Sequence, residues 1–422
     1  MYQTLELFPG VTLRCIRDTR FKQGALSIQL LRPMTHAEAA LNALLPAVLL
    51  RGCESCPDLK QIIHRLDDLY GASIGALVRR IGDYQTTGFY CGFMEDRFAL
   101  EGDRILSPMV AFAGELLLRP VLENGVFSQD FVESEKKNLI SAIEAQRSDK
   151  RAYAAARLLE NMCQNDSFGI PRLGNAEQVA AITAESLYRH YRRILEESAL
   201  ELFYVGSASM EEVADAVRPL VAGLDRRIQP LPRQTAYQPS PESRETETME
   251  IAQGKLSLGF TTPITNQDPR FAAMQLCNAI FGSGMTSKLF MQVREKLSLC
   301  YAIGSSYYGS KGIVTVNAGI DTCQEKAATE AIMQQLQACQ AGQITENELQ
   351  SARESILSSL RAVCDSPGAM EAFFGVAALN GLNRSLEEYA AQIRAVTLED
   401  IAAAAQTLHL HSSFFLKGED HG

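Results

Sequence analysis

The sequence predicts an α+β chain of two homologous halves, each a mostly antiparallel sheet backed by helices. Three observations predict it. Stretches of the first half recur in the second in the same order, strand candidates come in consecutive runs instead of alternating with helices, and one polar, proline-rich segment interrupts the apolar pattern between the halves. The 422 residues, 46% hydrophobic and 21% charged, have an ordinary globular composition with room for two or three cores.

In chain order, the first half offers strands at VTLRCI (11–16), ALSIQLL (25–31), SIGALVRR (73–80) and QTTGFYCGF (85–93). The helix AEAALNALLPAVLLRG (37–52) matches RFAAMQLCNAIFGSG (270–284), each apolar and ending at glycine. Its apolar run from Ala39 to Leu50 contains Asn42 and Pro46 and falls short of the roughly 18 uninterrupted residues a membrane span needs. SQDFVESEKKNLISAI (128–143) matches TENELQSARESILSSL (345–360), Leu139 and Ile140 corresponding to Ile356 and Leu357, with an N-cap hydroxyl at each start. VAAITAESLYRHYRRIL and the strand ALELFYVG, ending at Gly206, match IRAVTLEDIAAAAQTL and SSFFLKG, ending at Gly418. The first pair has the larger offset, so an insertion of roughly twenty residues is expected around GFMEDRFALEGDRILSPMV (92–110). Ser209 and Glu212 form a capping box, and Val213, Val217, Leu220, Val221 and Leu224 follow helical spacing to close the first half. The segment RRIQPLPRQTAYQPSPESRETET (226–248) then supports neither helix nor sheet. The expected organisation is a first domain over 1–226, a linker over 227–247 and a second domain over 248–422. The second domain's strands are KLSLGFTT (255–262), YAIGSSYY (301–308) and IVTVNAGI (313–320).

Composition removes several classes of function. A formal net charge of -10 repels nucleic-acid phosphates and anionic membrane surfaces. No glycine fingerprint for a dinucleotide is present. The opening MYQTLELFPG has no basic region followed by an apolar stretch, so the expected compartment is the cytoplasm. Ten cysteines without paired spacing read as core-filling thiols, and the single Cys53-x-x-Cys56 pair is weak evidence for redox or zinc chemistry.

The most distinctive stretch is FGSGMTSKLFMQVREKLSLCYAIGSSYYGSKGIVTVNAGID (281–321). Two readings of it stay open. In the plain one, Gly282 or Gly284 supplies a left-handed turn ending a helix, Arg294 makes a structural ion pair and Tyr301 packs in the sheet. In the functional one, a guanidinium fork and a phenol act on a bound ligand, the first holding a carbonyl or carboxylate and the second donating to an oxygen as charge grows on it.

An upstream Gly-Ser-Gly-Met, then Ser-Lys-Leu-Phe, an arginine and a seven-residue step to a tyrosine resemble the C-terminal domain of pitrilysin and insulinase-type zinc peptidases, including mitochondrial processing peptidase. The resemblance covers nearly the whole chain and implies two homologous α/β domains forming one clam-like unit. It also implies that Arg294 and Tyr301 contact substrate and that Gly282 and Gly284 lie in a flexible segment near the cleft. The family's His-x-x-Glu-His is absent. Anchored on Arg51 and Gly52, it falls on Ala43, Leu44, Leu45, Pro46 and Ala47, so apolar groups replace both histidines and the base. Matching the run at Glu135 and Lys136 puts the third ligand near Ala142, with Glu144 two residues off the needed face. Loss of all three ligands removes zinc binding and leaves no catalytic residue in this chain. The stretch LYGASIGALVRR (69–80) resembles the family's substrate-pairing strand, its asparagine replaced by Gly75, and reads more readily as an ordinary core strand.

Other histidines carry less. His64 and Asp68 are one helical turn apart, lack a third ligand and read as a surface ion pair; His409 and His411 alternate on a short strand, and His421 lies in the tail. The resemblance therefore implies a non-catalytic subunit that pairs with a zinc-bearing homologue to bind and process peptides, with zinc in the partner and a homodimer as the form taken alone. A peptide-binding or scaffold protein without a protease role, and a peptidase with relocated metal ligands, are the alternatives.

Overall fold

The computed structural model describes residues 2–419. The first part of the chain runs β1 (Gln3–Phe8), β2 (Val11–Arg17), β3 (Gln23–Pro33), α1 (Ala39–Leu49), α2 (Leu59–Asp68), β4 (Ser73–Ile81), β5 (Tyr84–Met94), α3 (Leu106–Leu118), the short hairpin β6 (Leu122–Glu123) and β7 (Val126–Phe127), α4 (Gln129–Ser148), α5 (Lys150–Met162), α6 (Ala176–Ala180), α7 (Ala184–Glu197), β8 (Ala199–Gly206) and α8 (Met210–Val221). The second runs β9 (Arg244–Met249), β10 (Gly254–Thr261), α9 (Phe271–Asn278), two π-helical segments (Ala279–Ser283 and Leu289–Lys296), β11 (Ala302–Tyr308), β12 (Ile313–Ile320), α10 (Glu325–Gln340), α11 (Glu346–Ala362), α12 (Pro367–Leu379), α13 (Leu386–Ala395), α14 (Leu398–Gln406) and β13 (His409–Gly418).

The two sheets share one topology over five strands, and the first adds β1 at its edge. Spatial order is β4-β5-β3-β8-β2-β1 in the first and β11-β12-β10-β13-β9 in the second. In each, the long central strand is antiparallel to both neighbours, and the parallel pairs, β2 with β8 and β9 with β13, hold equivalent places. The duplication read from the sequence is thus repeated in five strands of each sheet, with α4 matching α11 and α7 matching α14. Thr183 and Thr397 each close a capping box at the start of α7 and α14, which is why these helices begin where they do.

The chain divides into two compact units that are not contiguous in sequence. Unit 1 comprises 1–144, 170–234 and 363–381. Unit 2 comprises 145–169, 235–362 and 382–422. Two segments therefore cross the boundary drawn from the sequence, 145–169 carrying α5 and 363–381 carrying α12. The physical reason lies in sheets that are buried on both faces. In unit 1, Leu26, Ile28 and Leu30 of β3 share one core with Leu44, Leu45 and Val48 of α1, while the alternate residues Ser27 and Gln29 are buried too. The element on that second face is α12, whose buried Glu371 accepts from Ser27 Oγ at 2.7 Å and from both terminal nitrogens of Arg79 at 2.9 and 2.7 Å. In unit 2, Ala154 and Leu158 of α5 pack with Phe414 and Leu416 of β13. Gly259 of β10 permits this approach, since a Cβ there would stand 2.6 Å from Met162 Sδ.

Smaller expectations are also corrected. The linker ends earlier than Glu247, because β9 begins at Arg244 and pairs with β13. The extra length of the first half is split between two 3-10 turns (Asp96–Phe98 and Leu100–Gly102) and the β6–β7 hairpin, only the first of which lies where the insertion was expected. Among the described residues no helix is long and apolar enough to cross a membrane.

Candidate functional site

Within unit 2, the two π-helical segments and β11 enclose an open pocket of about 460 Å³ lined by Gly282, Gly284, Arg294 and Tyr301, together with Ser283, Met285, Phe290, Ser306, Asn317 and Arg151. All four residues singled out in this stretch of the sequence therefore meet at one place. The π-helical backbone, with its i→i+5 pattern, is a rare geometry that concentrates at functional positions, and no residue pattern announced it.

The two glycines do different work from the turn expected of them. Neither has a positive φ, and Gly284 is extended at φ -129° and ψ 164°. Gly282 is a contact point. A Cβ there would stand 2.6 Å from Leu289 Cδ1 and 2.7 Å from Ser305 Oγ, so the segment can lie against β11 only without a side chain. Gly284 has no heavy atom within 4 Å of the corresponding position and opens onto the pocket. The left-handed residue of the region is Ser298, at φ 52°, in the turn that carries the chain from Arg294 to Tyr301.

Arg294 is half-exposed, stacks on Phe290 at 4.5 Å from guanidinium carbon to ring centroid, and has Glu295 at 3.6 Å. That ion pair is loose. Tyr301 is 60% exposed and donates its hydroxyl to Asp321 at 3.1 Å, which raises its pKa and keeps it a protonated donor. It does not pack in the sheet interior. Between them Cys300 is buried, which pushes its thiol up to about 11 against the opposing effect of Arg294. Arg151, from the first turn of α5, was not singled out in the sequence; only the transfer of 145–169 into unit 2 brings it here.

The positions matching the zinc motif lie in unit 1. Ala43, Pro46 and Ala47 are on α1 and Ala142 is exposed on α4; none has a donor atom for a metal, so the residues present do not fit a zinc ion. The anchors used to place them do meet, Arg51 pairing with Glu135 at 3.1 Å and stacking over Phe131. Pro46 has a structural consequence. It has no N–H for the carbonyl of Asn42 one turn earlier, and Thr87 Oγ1 of β5 donates to that oxygen instead at 2.7 Å. The same Asn42 begins a buried chain missed in the sequence: its amide donates to Gln85 at 2.9 Å, and its Oδ1 takes Nε2–H of His190 at 2.7 Å. His190 Nδ1 in turn faces Arg193 at 3.0 Å, and Arg193 pairs with Glu38, which Arg32 also holds through two 2.8 Å bonds. Burial lowers the His190 pKa from 6.5 to about 4.

The remaining candidates separate. His64 and Asp68 are exposed on α2, and no ion pair joins them among the described residues. No group of three or more His, Cys, Asp or Glu suited to a metal occurs among those residues either. His411 is engaged by Tyr237, Ser240 and Ser412 and His409 is exposed, while His421 lies outside the described residues. Cys53 and Cys56 are buried free thiols. Gly75 lies on β4, which edges its sheet and is largely half-exposed, unlike a core strand.

Residues 181–356 match the family described as "Peptidase M16 inactive domain". The chain is 30% identical over 411 residues to "Probable inactive metalloprotease YmfF" of Bacillus subtilis (strain 168), covering 97% of this chain and 96% of that one. Among solved structures, a conserved protein from Enterococcus faecalis V583 superposes with a TM-score of 0.94 at 28% identity, over 100% of this chain and 99% of its own. A peptidase M16 inactive domain from Pseudomonas fluorescens shares the fold, with a TM-score of 0.82 at 19% identity over 99% and 98% of the two chains.

Proposed function

The chain belongs to the peptidase M16 family, as a member of the inactive kind, and we propose that within it the chain serves as the partner subunit of a zinc-bearing homologue, holding an extended peptide that the partner cleaves. One observation carries the reading: Gly282, Gly284, Arg294 and Tyr301 line a single open pocket although the zinc-motif positions offer no ligand.

The roles follow from the groups. Arg294, weakly engaged by Glu295, can turn two N–H donors toward a peptide carbonyl or carboxylate. Tyr301 stays protonated and can exchange Asp321 for a substrate oxygen on which charge develops. Met285, 77% exposed at the pocket rim, supplies adaptable apolar contact suited to varied side chains. Zinc, with His-x-x-Glu-His and the attacking water, would come from the partner.

Affinity capture from the protein's own cell extract, followed by intact-complex mass spectrometry, tests the pairing. The expected result is a chain of similar size bearing His-x-x-Glu-His, with one zinc per pair. Recovery of the chain alone, as a homodimer, or with unrelated proteins and no zinc overturns it. In the captured complex, Arg294→Ala and Tyr301→Phe should each lower kcat/KM for peptide cleavage by about a hundredfold. Full activity in both would remove these residues from the site.

A further inference from the structure

The pocket holds more positive charge than the Arg294–Tyr301 pair explains. Arg151 is on the first turn of α5, where Asp149 accepts from the backbone N–H groups of Arg151 and Ala152 at 3.0 and 3.1 Å and so fixes the direction of the helix start. Its side chain is exposed, lines the pocket, and makes no ion pair among the described residues. Its charge also acts on Lys255, whose pKa is lowered by burial first and by Arg151 second, with Asp149 opposing. Lys255 is itself held by Gln253 at 2.7 Å. Arg294 contributes a second guanidinium whose acid, Glu295, stands 3.6 Å away and outside the lining. Asp321, the acid beside Tyr301, is likewise not among the lining residues and already accepts from the phenol. Two arginines therefore face a pocket whose wall contains no carboxylate and whose other polar side chains are the uncharged Ser283, Tyr301, Ser305, Ser306 and Asn317.

We infer that this pocket is a subsite for a peptide carboxylate, Arg151 and Arg294 receiving it from the two sides. The ligand chemistry follows from the wall. A planar guanidinium matches a carboxylate with two parallel N–H···O bonds, and two guanidinium groups lining one pocket are both satisfied by a single anion between them. The carboxylate has two possible origins, the free C-terminus of the peptide or an Asp or Glu side chain within it. This subsite rests on the peptide-holding role proposed above and gives that role a polarity, since an anchored carboxylate fixes which way the chain lies past Tyr301.

The test uses the full chain and fluorescence anisotropy with a short, otherwise neutral, rhodamine-labelled peptide in three forms: C-terminal acid, C-terminal amide, and amide with one internal glutamate. One charge-assisted pairing should make a carboxylate form bind about tenfold tighter than the plain amide. If the acid alone gains, the source is the terminus; if the glutamate form also gains, it is any carboxylate. Arg151→Gln should reduce the gain to within about twofold, while Lys326→Gln, an exposed cation of the same unit away from the pocket, should preserve it. Equal binding of acid, glutamate and amide forms, an undiminished gain in Arg151→Gln, or a gain lost equally in Lys326→Gln overturns the subsite and leaves the peptide-holding role standing. Failure of every form to bind overturns both.

Discussion

His190 is neutral in the fold chiefly because it is buried, and its two nitrogens face partners that suit a single proton. Asn42 gives its amide to Gln85, so its Oδ1 must accept, and His190 Nε2 carries the proton; Nδ1 is then the acceptor for Arg193. A second proton would set two donors against each other. With a folded pKa of about 4 against 6.5 unfolded, the unfolded chain binds more protons as pH falls through that interval, so stability is whole above 6.5 and declines toward 4. This group accounts for about 3 kcal/mol of the decline. Thermal melts across the interval should show a shallower slope in His190→Gln; an unchanged slope would mean the imidazole is not coupled to folding. The glycines make a second contrast at this scale. Gly282→Ala forces Leu289 and Ser305 apart and should cost about 1–3 kcal/mol, whereas Gly284→Ala, with open space beside it, should leave the melting temperature almost unmoved. The residues were legible from motif spacing, their roles only in part: that Gly282 is a contact and Gly284 is not depends on β11, which no local pattern places beside them.

At the scale of elements, α1 shows how a helix accommodates the loss of one hydrogen bond. Thr87→Val removes the donor that replaces the missing N–H of Pro46 and leaves the Asn42 carbonyl buried without it, a cost of about 1–3 kcal/mol. In a Pro46→Ala background the helical N–H returns, and the same substitution should cost less than half as much. A double-mutant cycle by chemical denaturation reads the difference; equal costs in both backgrounds would show that Thr87 acts elsewhere. Strands with clear alternation and helices with capping boxes were visible in the sequence, among them β3, β10, α7, α8 and α14. The edge strands β1 and β9 were not. In QTLELF the alternation is only Leu5 and Leu7, short and half-buried against the core, and RETETM carries charge along its length with no apolar face; each strand pairs with one neighbour. The π-helical segments were equally invisible, because their widened turns follow from packing and not from a residue period.

For the whole molecule, the duplication was legible as repeated patterns, but the exchange of α5 and α12 was not, since an amphipathic stripe does not say which sheet it will cover. Residues 1–234 and 235–422 produced separately should each fail to fold, one lacking Glu371 opposite Arg79 and the other lacking Ala154 and Leu158 against Phe414, and should recover the native state when refolded together. Size-exclusion and near-ultraviolet circular dichroism would decide; a cooperative melt from either fragment alone would show its sheet stable without the transferred helix. The exchange also sets a clock on synthesis. Unit 1 lacks its last helix until residues 363–381 have left the ribosome, and at about 5–20 residues per second the wait after residue 234 is on the order of ten seconds. Through that interval the nascent sheet presents Ser27, Gln29 and Arg79 uncovered, so the amino-terminal unit is finished nearly last, and the growing chain offers holdase chaperones a defined period in which to engage it.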